Sequence, residues 1–381
     1  MTDRFFAPCP RGLEAVLAAE LAPLGARAIT SADGGVAFEG DLALAYRANL
    51  ESRIASRILW RVGGGSYRNE KDVHALARDV AWPTLFRPER TLRVDVAATR
   101  SPLKSLEYAT LTIKDAVCDR CRDDTGTRPS VDKQAPDVRV FAHLTDREAT
   151  LYLDTSGEPL FKRGYRRDTD EAPLRENLAA GLLALAGWVP GTPFLDPMCG
   201  SGTIAIEAAL LAAARAPGLQ RTFGFQKLAW FDGPAWQRLK QAARDRVRAA
   251  PAEAIVHASD IAEGAVGKTQ FNARAAQVAQ FMAIERADVL TRTAPAPTGT
   301  LVTNPPYGVR LDDLEKVAAL YPLLGDALKQ RFAGWNAWFL SADTRLPKLF
   351  HLRTDARIPL YNGALECRLY AYRIVAGPML E

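Results

Sequence analysis

The feature that most constrains the fold is a short apolar run that leads into a glycine turn and an alanine-rich helix, at residues 192–214. The run ends in Asp196, and Gly200 and Gly202 precede a helical pattern from Ile204 to Ala214. Glycine accepts backbone angles that other residues avoid, so this turn lets a ligand approach the backbone closely. The amides at the start of the helix offer donors to a polar ligand. The pattern predicts a strand, loop and helix of an α/β domain.

The glycine turn does not match the two common nucleotide-binding loops. A phosphate-binding loop needs Gly, four residues, Gly, Lys and Ser or Thr, and no lysine follows here. The three-glycine dinucleotide fingerprint is also missing. The form Asp-Pro-x-x-Gly-Ser-Gly instead resembles motif I of class I S-adenosylmethionine-dependent methyltransferases, in which the loop holds the methionine end of the cofactor. The resemblance implies cofactor contacts from Asp196, Pro197, Met198, Cys199, Gly200, Ser201, Gly202 and Thr203.

A second apolar run, Thr300–Thr303, ends abruptly in Asn304-Pro305-Pro306-Tyr307. The two prolines remove backbone donors and forbid a helix, and each forces an extended conformation on the residue before it. The strand must therefore end in a stiff loop. Open α/β sheets bind ligands at the carboxyl ends of their strands, so we expect this loop and the glycine turn at the same edge. The pair, in this order, resembles the methyltransferases that act on exocyclic amino groups of bases.

The chemistry of such an amine suits these residue types. The amino nitrogen of guanine or adenine is a poor nucleophile because its lone pair is delocalised into the ring. The side-chain oxygen of Asn304 and the carbonyl of Pro305 can accept its two N–H groups and hold the nitrogen in line with the methyl donor. Tyr307 can stack on a base that has left its helix. We therefore predict a catalytic set of Asn304, Pro305, Pro306 and Tyr307.

The positions of the cysteines favour methylation of an exocyclic amine over methylation of a pyrimidine carbon. A methyltransferase that acts on a cytosine or uracil carbon would need a cysteine nucleophile in its catalytic loop, and no cysteine lies between Cys199 and Cys367. The five cysteines are scattered, which favours a reducing cytoplasm over a disulfide framework. Cys118 and Cys121 form the one C-x-x-C pair, and the four histidines are dispersed, so we predict no metal site.

Further cofactor contacts are predicted outside the glycine turn. Asp260 closes the apolar run 254–260, where an acidic residue commonly accepts the ribose hydroxyls of a nucleotide cofactor. The family resemblance implies that Asp288 meets the adenine amino group and that Leu174 and Arg175 lie against the cofactor. It also places Asn304 beside the cofactor as well as the base. The cofactor prediction is S-adenosylmethionine.

The amino-terminal part of the chain predicts two small α+β domains. Residues 1–65 follow a β-α-β-β-α-β order, typical of a ferredoxin-like domain. In residues 66–160, the runs Arg128–Asp132 and Leu153–Gly157 resemble a THUMP domain, the RNA-binding module of tRNA- and rRNA-modifying enzymes. Residues 161–381 are then expected to form a Rossmann-like class I methyltransferase domain with a seven-stranded mixed sheet, ending in a hairpin at Asn362-Gly363.

Charge suggests where RNA could bind. The net charge of +5 is mildly basic and compatible with a nucleic acid. A run of cations with one aromatic residue follows the THUMP-like part. We predict RNA contacts from Lys162, Arg163, Tyr165, Arg166, Arg167 and Arg128, with a solvated face as the alternative interpretation of the 162–167 run. An insertion at 217–250 carries five aromatic residues and a basic helix, for which packing is the preferred interpretation and RNA contact an alternative.

Taken together, the motifs resemble the bacterial guanine-N2 methyltransferases of 23S rRNA, with a single methyltransferase half. A tRNA guanine-N2 methyltransferase would share the fold and site, and a catalytically idle RNA-binding or assembly protein is a weaker alternative. A DNA adenine methyltransferase would lack the amino-terminal half. The sequence predicts no membrane segment. It leaves open which nucleotide is modified, whether the substrate is naked RNA or an assembling particle, and the oligomeric state.

Overall fold

The computed structural model describes residues 2–166, 174–305 and 311–375. The chain divides into two compact units. The first contains Met1–Pro8, Ala18–Leu160 and Arg221–Ala242, and the second contains Cys9–Leu17, Phe161–Gln220 and Ala243–Glu381. Within the described residues, no helix is both long enough and apolar enough to cross a membrane.

The first part of the chain alternates strands and helices as far as residue 154. In chain order these elements are β1 Asp3–Pro8, α1 Glu14–Leu21, β2 Arg27–Ala32, β3 Gly35–Gly40, α2 Leu42–Glu51, β4 Leu59–Ser66, α3 Glu70–Asp79, α4 Trp82–Leu85, β5 Leu92–Ala98, α5 Leu106–Thr125, β6 Val138–Leu144 and β7 Glu148–Asp154. The seven strands form one sheet in the order β2-β3-β1-β4-β7-β6-β5.

Strand β4 makes this a single sheet. It pairs antiparallel with β1, where Phe5 opposes Trp60, and also with β7, where Leu59 opposes Asp154. The ferredoxin-like and THUMP folds predicted from sequence are both present, but they share this strand pairing instead of forming separate sheets. The periodicity of a strand shows which side chains are buried and does not show which neighbour it pairs with.

The rest of the chain forms the second sheet and its helices. In order these elements are α6 Glu176–Leu185, β8 Phe194–Asp196, α7 Thr203–Ala212, α8 Gly233–Asp245, β9 Val256–Asp260, α9 Glu263–Ala275, β10 Met282–Arg286, β11 Gly299–Thr303, α10 Leu311–Arg331, β12 Trp335–Ser341, α11 Leu346–Leu349, β13 Ala356–Asn362 and β14 Leu365–Arg373. The strand order is β10-β9-β8-β11-β12-β14-β13, with β14 antiparallel to both of its neighbours. This is the mixed seven-stranded sheet that the sequence predicted.

The second sheet packs against its helices through an apolar cluster. Most of its members lie on strands β8, β11, β12 and β14 and on helices α10 and α11. They include Leu301, Phe339, Tyr372, Leu324, Leu328, Trp335 and Phe350. Full burial of each such side chain contributes on the order of 1.5–3 kcal/mol. Strand β8 is buried along its whole length, as expected for a central parallel strand with both faces covered. A rigid core therefore fixes the strand ends that carry the predicted site.

The aromatic residues of the insertion at 217–250 belong to the first unit, although the insertion follows α7 of the second unit in the sequence. Residues 221–242 pack with the first unit, and their rings surround Tyr46 on α2. The ring of Tyr46 lies 4.6 Å from that of Phe225 and 5.1 Å from that of Trp230, and its hydroxyl accepts a hydrogen bond from the Asp232 amide at 2.8 Å. These aromatic residues are packing residues, which was the preferred interpretation of the sequence.

Candidate active site

The two motifs predicted from sequence follow neighbouring parallel strands. Strand β8 pairs with β11 through Phe194 opposite Thr300 and Leu195 opposite Leu301. The strands run in the same direction, so the loops after Asp196 and after Thr303 emerge at the same edge of the sheet. Strand β9 pairs with β8 on its other side and brings Asp260 to that edge as well. The carboxyl edge thus gathers the predicted groups into one place.

A buried hydrogen bond links the ends of β8 and β11. The hydroxyl of Thr303 donates to Oδ1 of Asp196 at 2.7 Å, and the amide of Met198 donates to the same oxygen at 3.4 Å. Burial raises the pKa of Asp196 to about 7, while the Thr303 and Met198 bonds oppose the rise and the charge of Asp260 adds to it. Asp196 therefore supports the loop from inside, and its charge depends on pH near neutrality.

Asp260 holds the glycine loop from the neighbouring strand. Its Oδ2 accepts a hydrogen bond from the amide of Gly200 at 2.9 Å, and its Oδ1 accepts one from the amide of Ala262 at 3.0 Å. The carboxylate is half-buried at the carboxyl end of β9, as predicted. Both of its described bonds come from backbone amides, which fixes its orientation toward the loop.

Two side chains of helix α9 form hydrogen bonds to the backbone of the same loop, and the sequence did not predict either of them. The hydroxyl of Thr269 donates to the carbonyl of Gly200 at 2.9 Å, and the side-chain amide of Asn272 donates to the carbonyl of Ser201 at 3.0 Å. Both side chains are buried. Their spacing of three residues places them on one helix face. Polar residues at that spacing are common on solvated faces, so the sequence held no signal that they face the loop.

The two glycines of the loop have different reasons to be glycine. Gly200 has φ +55° with open space where a Cβ would lie, whereas Gly202 has φ +85° and a Cβ there would come within 2.6 Å of the Thr269 side chain. Between them and β8 lies Cys199, which is buried, and burial raises the pKa of its thiol. A thiol held in its neutral form is not a poised nucleophile.

The remaining predicted residues are placed as follows. Asn304 is half-buried and Pro305 is buried directly after β11, while Pro306 and Tyr307 lie outside the described residues. Asp288 was predicted to end a strand, but β10 ends at Arg286. Asp288 instead opens the turn that follows, where its Oδ1 accepts a hydrogen bond from the amide of Leu290 at 2.9 Å.

Leu174 and Arg175 stand before α6. Leu174 is buried, and the guanidinium of Arg175 lies 4.9 Å from the centre of the Phe161 ring. Pro197, Met198 and Ser201 occupy the glycine loop, and Met198 packs against the apolar core. No group of three or more His, Cys, Asp or Glu side chains in the described parts of the chain is arranged to hold a metal ion.

The predicted RNA contacts need correction. Arg163 and Tyr165 are each only 2% exposed, and both reach Glu207 on α7, Arg163 at 3.3 Å. Burial disfavours the charge of Arg163, but Glu207 outweighs this effect and the pKa of Arg163 is raised. The prediction that these two residues contact RNA is therefore wrong, because alternating residues of the run face inward.

The other members of the predicted RNA set differ from one another. Arg166 is mostly buried and donates to the hydroxyl of Thr203 at 2.6 Å. Arg128 is partly exposed but forms ion pairs with Asp115 and Asp119 on α5. Lys162 is exposed, and Arg167 lies outside the described residues. A run of cations in sequence does not reveal the buried carboxylates that neutralise it.

Comparison with protein-family models matches three consecutive parts of the chain. Residues 4–59 match the RlmL ferredoxin-like domain, residues 67–154 match the THUMP domain, and residues 163–371 match the RMKL-like methyltransferase domain. The last match alone covers more than half of the chain.

Known proteins align along nearly the whole chain. "Ribosomal RNA large subunit methyltransferase K/L" of Aeromonas hydrophila is 40% identical over 97% of this chain, and the alignment covers 54% of that protein. The chain thus spans about half the length of this relative. The crystal structure of SMU.472, named as a methyltransferase complexed with SAH, has a TM-score of 0.89 at 28% identity and covers 99% of both chains. A Listeria monocytogenes structure, named a predicted N6-adenine-specific DNA methylase, has a TM-score of 0.89 at 29% identity over 98% of this chain and 97% of that chain.

Proposed function

We propose that this chain methylates the exocyclic N2 amine of a guanine in 23S rRNA, with S-adenosylmethionine as the methyl donor. The premise is that the chain belongs to the family of RMKL-like methyltransferase domains. The observation that carries the proposal is the buried hydrogen bond between Thr303 and Asp196, which sets the glycine loop beside Asn304 and Pro305. The name of the Aeromonas relative supports large-subunit rRNA as the substrate. The THUMP match supports an RNA partner.

The carboxyl edge of the second sheet fits the proposed cofactor. It offers a loop with two left-handed glycines, and carboxylate oxygens at the end of β9 and just beyond β10 that can accept hydroxyl and amino hydrogens. The bound cofactor supplies an electrophilic methyl group on a sulfonium. We assign its contacts to the glycine loop, to Asp260 and Asp288, to Leu174 and Arg175, and to Asn304.

The chain itself would act on the base by positioning. The side-chain oxygen of Asn304 and the carbonyl of Pro305 would accept the two amine hydrogens and turn the nitrogen lone pair away from the ring. Tyr307 would stack on the flipped base, and Pro306 would keep the loop stiff. The nitrogen becomes strongly acidic as its new bond forms, so its proton passes to water without a dedicated base. Holding two reacting groups in the correct orientation can lower the barrier of a bimolecular transfer by about 7–11 kcal/mol.

The test is transfer of labelled methyl groups to total RNA from a strain that lacks this gene. The RNA is separated by size and digested, and its nucleosides are identified. N2-methylguanosine in 23S rRNA is the expected result. Label in tRNA would move the substrate but keep the fold, cofactor and site, and N6-methyladenosine would replace guanine by adenine.

A protein that binds the cofactor but labels no naked RNA is then tested on assembling large-subunit particles. Absence of transfer there as well would overturn the proposed activity and leave an RNA-binding or assembly role. The DNA substrate is tested in parallel, because the Listeria relative carries a DNA methylase name.

A further inference from the structure

The segment 161–166 joins two parts of the second unit that border the proposed cofactor site. On one side, Arg163 and Tyr165 reach Glu207 of α7, at 3.3 and 3.5 Å. On the other side, the ring of Phe161 lies beneath the guanidinium of Arg175. The segment therefore lies between the helix that begins at the glycine loop and the residues that precede α6.

Arg166 contacts both sides at once. Its Nη2 donates to the hydroxyl of Thr203, the first residue of α7, at 2.6 Å and to the carbonyl of Leu174 at 3.1 Å. Its Nε lies 3.4 Å from Oε1 of Glu176, in the first turn of α6. The side chains of Arg166 and Glu176 are only 10% and 7% exposed. One guanidinium thus connects the start of α7, the backbone before α6 and a buried carboxylate.

We propose that Arg166 is a positioning residue for the cofactor site, which holds Leu174 and Thr203 at a fixed separation. The inference rests on the proposed function, in which both residues contact the cofactor. It replaces the RNA contact that the sequence suggested for Arg166. Because a guanidinium carries several donors in a rigid plane, it can hold two acceptors in fixed directions, whereas the single ammonium of lysine imposes no such geometry.

The neighbouring ion pair provides a matched control. Arg163 and Glu207 are also a buried arginine and glutamate, between the same segment and the same helix. Glu207 lies one helical turn beyond Thr203. The hydrogen bonds of this pair run from Arg163 to Glu207, whereas the bonds to the Leu174 carbonyl and the Thr203 hydroxyl come from Arg166. Substitution of this second pair therefore removes a comparable buried interaction while both bonds of Arg166 are kept.

The experiment measures the dissociation constant of S-adenosylhomocysteine by calorimetry in full-length variants, with thermal unfolding alongside. The double variant Arg166→Gln/Glu176→Gln removes both charges, so that no unpaired buried ion remains. We expect its dissociation constant to rise at least tenfold. The control Arg163→Gln/Glu207→Gln is expected to stay within threefold of wild type.

Kinetics separate positioning from a general loss of structure. In the double variant Arg166→Gln/Glu176→Gln, the KM for S-adenosylmethionine should rise at least tenfold, while kcat at saturating cofactor changes less than threefold. Arg166→Lys, which retains the charge, should recover part of the affinity. If the Arg166 variants bind S-adenosylhomocysteine as wild type does, or if the control pair weakens binding equally, the role of Arg166 is overturned. Failure of wild type to bind would overturn the proposed function and this inference together.

Discussion

The last residue of β11, Thr303, donates a hydrogen bond to the last residue of β8, Asp196, at 2.7 Å across 107 residues of sequence. Both side chains are buried, with Asp196 1% and Thr303 0% exposed. Each residue is the point at which a strand gives way to a loop of the proposed site. The bond therefore couples the loop assigned to the cofactor with the loop assigned to the base.

Removal of the Thr303 hydroxyl should lower the stability of the fold and disturb the loops that follow β8 and β11. Thr303→Val keeps the shape but leaves the buried oxygen of Asp196 without its closest donor, which costs about 1–3 kcal/mol of unfolding free energy. We expect methyl transfer to fall together with stability, as measured by urea unfolding and by label incorporation. Thr303→Ser retains the hydroxyl and serves as the control. Equal stability of the valine and serine variants would contradict the importance of the bond.

The raised pKa of Asp196 predicts a specific pH dependence of stability. In the unfolded chain this carboxyl ionises near pH 4, whereas burial holds its folded pKa at about 7. Between these values the folded state binds the extra proton, so the contribution of Asp196 to the free energy of unfolding decreases as pH rises. The decrease amounts to roughly 4 kcal/mol once pH exceeds the folded pKa.

Asp196→Asn should remove this dependence, because the amide stays neutral and its oxygen can still accept the bond from Thr303. We expect the variant to exceed wild type in stability at pH 8 and to approach it at pH 5, in denaturant unfolding without cofactor. Asp146→Asn on the exposed β6–β7 turn is the control. A difference between wild type and Asp196→Asn that does not change with pH would refute the assignment.

Substitution of Asn304 is predicted to lower the rate of methyl transfer while RNA binding is kept. Asn304→Ala removes one of the two proposed acceptors for the amine, and we expect a loss of about 10²–10³ in kcat, the size found when one preorganised hydrogen bond is removed from an active site. RNA binding should remain. Asn336→Ala, an exposed asparagine on β12, should leave turnover unchanged. Turnover by Asn304→Ala at the wild-type rate would sink the proposed mechanism.

The two loop glycines should respond differently to alanine. Gly200→Ala meets no neighbour and should cost about 1–2 kcal/mol of stability from the left-handed backbone alone. Gly202→Ala adds a contact of 2.6 Å with the Thr269 side chain and should cost more. Chemical unfolding of the two variants gives the order directly. A loss for Gly202→Ala no larger than that for Gly200→Ala would mean that Thr269 moves aside at little cost.

Much of the site could be predicted because its signals are local. The strand that ends at Asp196, the two glycines and the strand that ends before Asn304 each follow from a few adjacent residues. Partners that lie far away in sequence could not be predicted in this way. Thr269 and Asn272 grip the loop from α9, and Glu207 and Glu176 neutralise Arg163 and Arg166. Nothing in the spacing of these residues distinguishes them from polar residues on a solvated helix face.

The sequence by itself determined the order of the strands and of the longer helices, the two loop motifs and the type of residue at each strand end. These depend on backbone preferences and on hydrophobic periodicity, both of which act over a few residues. Only the tertiary structure decided that β4 joins two predicted domains into one sheet, that residues 221–242 pack with the first unit, and that Arg163 and Tyr165 face inward. The reason is that side-chain burial and charge pairing depend on which distant surfaces meet, and that is a property of packing and not of local pattern.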